Sequence, residues 1–133
     1  MHKLSRQVKF AFIGAALTLG LVACTAPIYN VQDAPVAVPS GKPVQAAQVR
    51  QAIITAGAAL GWRIVDSTPG HLEGSLHLRE HAAVVDIPYS ATSYSILFKS
   101  GENLKASDGN IHKNYNGWIH NLDRGIRSAL ATL

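Results

Sequence analysis

The chain has 133 residues, with 12 lysines and arginines, 8 aspartates and glutamates, and a single cysteine. This length allows one small domain, and a single cysteine excludes a framework of disulfides within the chain. The first 23 residues carry three basic and no acidic residues. The remainder therefore has nine basic and eight acidic residues, which argues against a nucleic-acid partner.

The N-terminal 23 residues have the pattern of a secretory signal. Lys3, Arg6 and Lys9 form a basic start, and an uncharged, mostly apolar run of 14 residues follows at 10–23. This run has the length of a signal-peptide core and is shorter than the about 20 residues that a membrane-spanning helix needs. We therefore predict a signal peptide over residues 1–23.

The cysteine stands directly after this run. The sequence Leu21-Val22-Ala23-Cys24 resembles the lipobox of bacterial lipoproteins. The resemblance implies that the chain is cleaved before Cys24 and that its thiol carries a diacylglycerol. Thr25 occupies the position where inner-membrane retention usually shows aspartate, so the resemblance implies the outer membrane, with the domain facing the periplasm. The alternatives are an ordinary signal peptide with an incidental cysteine, or an uncleaved anchor.

Residues 24–42 are predicted to form the lipidated N-terminus and a proline-rich tether. The stretch 25–42 contains three prolines and a Ser-Gly pair, which interrupt any helical or strand period. At roughly 3.1 Å per residue, its length reaches about 55 Å, enough to hold a domain clear of a membrane. Ile28 and Val31 are more apolar than a tether requires, which leaves open whether residues 28–31 dock on the domain.

Residues 43–133 are predicted to form one domain that begins with a helix and continues into strands. The stretch 45–62 has apolar residues at helical spacing and contains Gly61, a usual helix stop. Gly57 lowers helix propensity, so we expect close packing at that position. Alternation of apolar and polar residues predicts four strands at 62–67, 71–79, 82–90 and 93–100.

A second helix is predicted at the C-terminus after a polar loop at 101–110. Asn110 is a plausible N-cap for it. The predicted buried stripe consists of Ile111, Tyr115, Trp118, Ile119, Leu122, Ile126 and Leu130. The predicted fold is α+β and two-layered: a helix, an antiparallel meander of about four strands and a helix, with both helices on one face of the sheet.

The segment His77 to His81, HLREH, matches the H-x-x-E-H pattern of one class of zinc peptidases. That chemistry needs both histidines on one helical face, a third ligand and a substrate cleft. Strand-like alternation on both sides predicts a hairpin corner here instead. A small domain also has little room for a cleft, so we predict no catalytic residues, no cofactor and no metal.

The second predicted strand places His71, Glu73, His77 and Arg79 on one face, which the alternation assigns to solvent. We predict this as a candidate binding face. Neutral imidazoles beside a carboxylate are also able to bind zinc or copper, so a metal-binding use of this face is the alternative.

Several motifs together resemble a group of small, uncharacterised proteobacterial lipoproteins. They cover nearly the whole chain after the signal and add no catalytic residue. The motifs are the lipobox, Ala26 to Asn30, Ala52 to Trp62, Arg79 to Tyr89, Tyr94 to Ile96, Asn103-Leu104 and Ile111 to Leu122.

These observations predict a non-enzymatic envelope lipoprotein, a binding or assembly-accessory module. Its expected partners are the membrane, reached through the lipid, and an envelope protein or glycan. The alternative is a small-ligand or metal-binding lipoprotein, and a small hydrolase is a third class.

Overall fold

The computed structural model describes residues 24–133, together with Lys9, Ala11 and Gly14. Apart from those three residues, the predicted signal peptide lies outside the described part of the chain. The described chain has an α+β fold with two helices, a five-stranded antiparallel sheet and a two-stranded antiparallel sheet. Within these residues, no helix has both the length and the apolar character needed to cross a membrane.

The larger sheet has the strand order β2-β6-β5-β4-β3, and the smaller one pairs β1 with β7. The predicted meander is present as β3 to β6, but the sheet has five strands because β2 joins it beside β6. The elements are β1 Thr25–Pro27, β2 Val31–Pro35, α1 Ala46–Ala59, β3 Arg63–Thr68, β4 His71–Leu78, β5 His81–Pro88, β6 Ser93–Glu102, β7 Asn110–His112 and α2 Lys113–Leu130.

The expectation of an extended tether is wrong for residues 25–35. This segment forms β1 and β2, and only residues 36–45 connect β2 to the first helix. β2 contains a bulge at Asp33, whose φ is +48° and whose backbone N–H donates a 2.9 Å hydrogen bond to Ser95 Oγ. Val31 is buried, so the apolar residues of this segment do dock on the domain.

Helix α1 confirms the expectations for its glycines. Gly61 has a φ of +86° and follows the end of the helix, where the backbone N–H of Trp62 donates to the Gly57 carbonyl at 2.9 Å. A Cβ atom at Gly57 would overlap Cδ1 of Ile64 in β3. The missing side chain therefore lets α1 lie close to the sheet.

Helix α2 begins later than predicted. Asn110 belongs to β7, and the N-cap is His112, whose Nδ1 accepts a hydrogen bond from the backbone N–H of Asn114 at 3.2 Å. Trp118, predicted to be buried, is only half-buried. The buried stripe contains Tyr115, Ile119, Leu122, Ile126 and Leu130, as predicted.

Burial alternates along the central strands as the sequence predicts. Leu72 and Leu76 of β4 are buried, and so are Val85 and Ile87 of β5. Leu78 has the same parity but is 42% exposed, because it lies at the end of β4 beside the turn.

Candidate functional site

The segment His77 to His81 forms the corner of a β-hairpin. His77, the last residue but one of β4, lies opposite Ala82, whereas His81 lies opposite Leu78. Paired residues point to the same face of a sheet, and neighbours along a strand point to opposite faces. The side chains of His77 and His81 therefore lie on opposite faces, so the geometry of the zinc-peptidase motif is absent here.

The candidate binding face divides into two separate places. His71 is at the start of β4 and His77 is near its end, six residues away, which corresponds to about 20 Å along a strand. Arg79 lies beyond the strand, in the turn, with a φ of +55°. The structure groups His71 with Glu73 and leaves His77 and Arg79 at the other end of the strand.

Alternating charges surround Glu73. It lies directly opposite Asp86, a pairing of like charges that is unfavourable on its own. Lys99 Nζ donates a 2.7 Å hydrogen bond to Glu73 Oε2, and this bond raises the pKa of Lys99. His71 Nδ1 lies 3.8 Å from Asp86 Oδ2. Each carboxylate thus has a basic neighbour, in an arrangement that is exposed and screened by solvent.

A shallow depression of about 460 Å³ adjoins this charged group. It combines the polar edge of His71 and Asp86 with the apolar side chain of Leu97, which lies opposite Asp86 on the same face of the sheet. Within the described residues, no group of three or more histidine, cysteine, aspartate or glutamate side chains is arranged to hold a metal ion.

A second pair of histidines meets near the N-terminus of α2. The ring centroids of His81 and His112 are 6.0 Å apart. His112 Nδ1 accepts the hydrogen bond that caps α2, so the proton of its neutral ring is on Nε2. While it caps the helix, His112 has no second lone pair for a metal, and we assign this pair a structural role.

Cys24, the predicted lipid-attachment residue, is exposed. Its carbonyl accepts a 3.1 Å hydrogen bond from the backbone N–H of Lys113, the first residue of α2. Thr25, the next residue, is already part of β1 and pairs with His112. The backbone of Cys24 is therefore held beside the smaller sheet and the first turn of α2.

Asn116 holds the segment that follows Cys24. Its side-chain amide donates a 2.9 Å hydrogen bond to the carbonyl of Pro27 and accepts a 3.0 Å hydrogen bond from the backbone N–H of Tyr29. The ring of Tyr29 also stacks on His120, with centroids 4.0 Å apart. These contacts join two of the motifs on which the lipoprotein resemblance is based, Ala26 to Asn30 and Ile111 to Leu122.

Comparisons with family models, with curated proteins and with solved structures found no match to this chain.

Sequence reasoning missed Asn116 and Asp123 as structural residues. Neither belongs to the buried stripe that the sequence predicts for this helix. Asp123 is buried, and it accepts hydrogen bonds from Tyr94 Oη at 2.5 Å and from Arg127 Nε at 3.0 Å. The spacing of Asp123 and Arg127, four residues apart on one helix, was the only available signal.

Proposed function

We propose that the protein is a non-enzymatic lipoprotein of the bacterial outer membrane, anchored by a lipid on Cys24, with its domain in the periplasm. The lipobox sequence before Cys24 carries this proposal. The exposure of Cys24 supports it, because an enzyme that attaches a lipid needs access to the thiol. The domain then acts as a binding or assembly-accessory module for another envelope component.

We further propose that both helices cover one face of the sheet. Ile64, Gly74, Val85 and Phe98 are successive cross-strand partners and so share a face. At one end of this row Ile64 packs beneath Gly57 of α1. At the other end the Phe98 ring makes an edge contact with Tyr115 of α2, with centroids 5.3 Å apart.

The opposite face is then available to a partner. It carries the neighbouring row of cross-strand partners, Val65, Glu73, Asp86 and Leu97. Val65 is 42% exposed and lies on β3, one of the two outer strands of the sheet. Small domains are able to bind extended segments at such an outer strand by strand addition, which makes an envelope protein a suitable partner and a glycan the other class.

In-cell photocrosslinking tests the partner proposal. A photoreactive residue replaces Val65 in one strain and the exposed Arg124 of α2 in a control strain. We expect one envelope component to be enriched from Val65 and not from Arg124. Identical crosslinking patterns from both positions, or no enrichment from either, would count against a partner on this face.

The depression beside His71 favours a second candidate function, a small-ligand lipoprotein. It offers a charged edge and an apolar floor within one concave surface. Native mass spectrometry of the protein extracted from membranes tests this candidate. A bound small molecule that is lost in Leu97→Ala would support it, and an unliganded protein under the same conditions would oppose it.

A further inference from the structure

Cys24 is joined to the folded domain without a tether. Thr25 already pairs with His112 across the smaller sheet, and the Cys24 carbonyl is bonded to the backbone of Lys113. A lipid on the thiol would be separated from this sheet only by the cysteine side chain. A free tether over residues 25–42 would instead have allowed the domain to lie up to about 55 Å from the lipid.

Several contacts hold the first strand in place. Asn116 bonds the backbone on both sides of Ile28, at Pro27 and Tyr29. The backbone N–H of Ile28 donates a 2.9 Å hydrogen bond to the Gly109 carbonyl. The domain therefore moves away from its lipid only if β1 separates from β7 and from α2.

The end of the domain that carries Cys24 also gathers two loops. We call it the anchor end and define it as Cys24, the turn 79–80, the loop 103–105 and residues 112–113. Asn103 Nδ2 donates to the Glu80 carbonyl at 2.6 Å, which joins the turn to the loop. The backbone N–H of His112 donates to the Leu104 carbonyl at 2.7 Å, which joins the loop to β7.

Cations outnumber anions on this surface. Arg79, Lys105 and Lys113 are all exposed, and the acidic residues here are two, Glu80 and, one residue before the loop, Glu102. Basic side chains next to a lipid anchor are attracted to anionic headgroups. Because Cys24 lies among them, the lipid would bring the same cations to the bilayer surface.

We propose that the anchor end rests on the bilayer that holds the lipid of Cys24, with its three cations at anionic phospholipid headgroups. This inference rests on the lipid attachment proposed above and adds a fixed orientation to it. The strands of the large sheet then rise from the membrane. The turn before β6, at Ala91 and Thr92, lies about 30 Å away at the far end of that ten-residue strand.

Fluorescence quenching in vesicles tests the orientation. The lipidated chain, which begins at Cys24, is reconstituted into phosphatidylglycerol and phosphatidylethanolamine vesicles that contain a nitroxide-headgroup lipid. A thioether at Cys24 does not react with maleimide, so a single introduced cysteine carries the only label. We compare Ala106→Cys, an exposed and uncharged position next to Lys105 of the anchor end, with Thr92→Cys, at the far end.

We expect the label at position 106 to be quenched several-fold more strongly than the label at position 92. Charge reversal by Lys113→Glu should reduce the difference in quenching between the two labels. Lys42→Glu is the control and should leave that difference unchanged, because Lys42 borders the same depression as Thr92 at the far end. Equal quenching at both positions, with the lipid present, would overturn the orientation and leave the anchor intact. A wild-type chain whose Cys24 reacts with maleimide would overturn both.

Discussion

The hydroxyl of Tyr94 donates a 2.5 Å hydrogen bond to Oδ1 of Asp123, joining β6 to α2 inside the core. The other carboxylate oxygen accepts from Arg127 Nε at 3.0 Å. A buried carboxylate is stable only when donors satisfy it, so this bond matters for the position of α2 on the sheet.

Tyr94→Phe should lower the free energy of unfolding by about 1–3 kcal/mol, because it leaves a buried acceptor without one of its donors. Urea denaturation measures this change. Tyr115→Phe is the matched control, since the buried Tyr115 hydroxyl has no hydrogen-bond partner among the described residues. Its removal should leave stability unchanged or raise it by up to about 1 kcal/mol. A larger loss from the Tyr115 change than from the Tyr94 change would contradict this assignment.

Alkaline pH should destabilise the protein through the same two tyrosines. Burial raises the pKa of both, and the hydrogen bond to Asp123 raises that of Tyr94 further. Above about pH 10 the unfolded chain releases tyrosine protons that the folded chain retains, so the free energy of unfolding falls as pH rises, by about 1.4 kcal/mol per pH unit for each tyrosine. Denaturation at several pH values from 9 to 11 measures the slope. The double variant with phenylalanine at both positions should show a shallower slope, and an unchanged slope would rule out this origin.

Asn116→Ala should release β1 without unfolding the rest of the domain. The change removes the hydrogen bonds to Pro27 and Tyr29, which together contribute about 1–3 kcal/mol. Hydrogen exchange should therefore accelerate over residues 25–31 and stay slow in β4 and β5. Asn121→Ala, at an exposed position of the same helix, is the control and should leave exchange in this segment unchanged. Unchanged protection in Asn116→Ala would mean that the side chain does not hold the segment.

Gly57→Ala should destabilise the protein although alanine favours helix formation. The higher helix propensity of alanine adds up to about 1 kcal/mol to the free energy of unfolding, whereas overlap with Ile64 Cδ1 lowers it by about 1–3 kcal/mol. Ile64→Val removes the overlapping atom, so the same glycine change should cost less, or stabilise, in that background. Thermal unfolding of the four proteins in this cycle measures the coupling. Gly117→Ala is the control and should stabilise the protein, because no atom lies within 4 Å of a Cβ added there. Additive effects of the Gly57 and Ile64 changes would refute the contact between these two residues.

Local periodicity was sufficient to predict the central part of the fold. The alternation around Leu72 and Val85 reflects strands with one buried face, and the spacing of Ile119 and Ile126 reflects a helix with one buried stripe. The corner at Arg79 also followed from alternation on its two sides. In these elements the buried residues recur along the sequence at the period of the strand or helix, so the spacing alone predicts them.

The N-terminal strands were not predictable in this way. β1 has three residues and ends at Pro27, and β2 ends at Pro35, so neither shows a period. Their stability comes from distant partners such as Asn116, which no local pattern reveals. The candidate face was limited for a related reason: the sequence placed His71 and Glu73 on one face of a strand but could not show that Asp86 and Lys99 of the neighbouring strands lie beside them.

The most direct test of the proposed anchor is the intact mass of the chain extracted from bacterial membranes. We expect a polypeptide that begins at Cys24 and carries the added mass of a diacylglycerol on its thiol, and Cys24→Ser should abolish both cleavage and lipid. A chain that retains residues 1–23, or one cleaved elsewhere with an unmodified Cys24, would contradict the account.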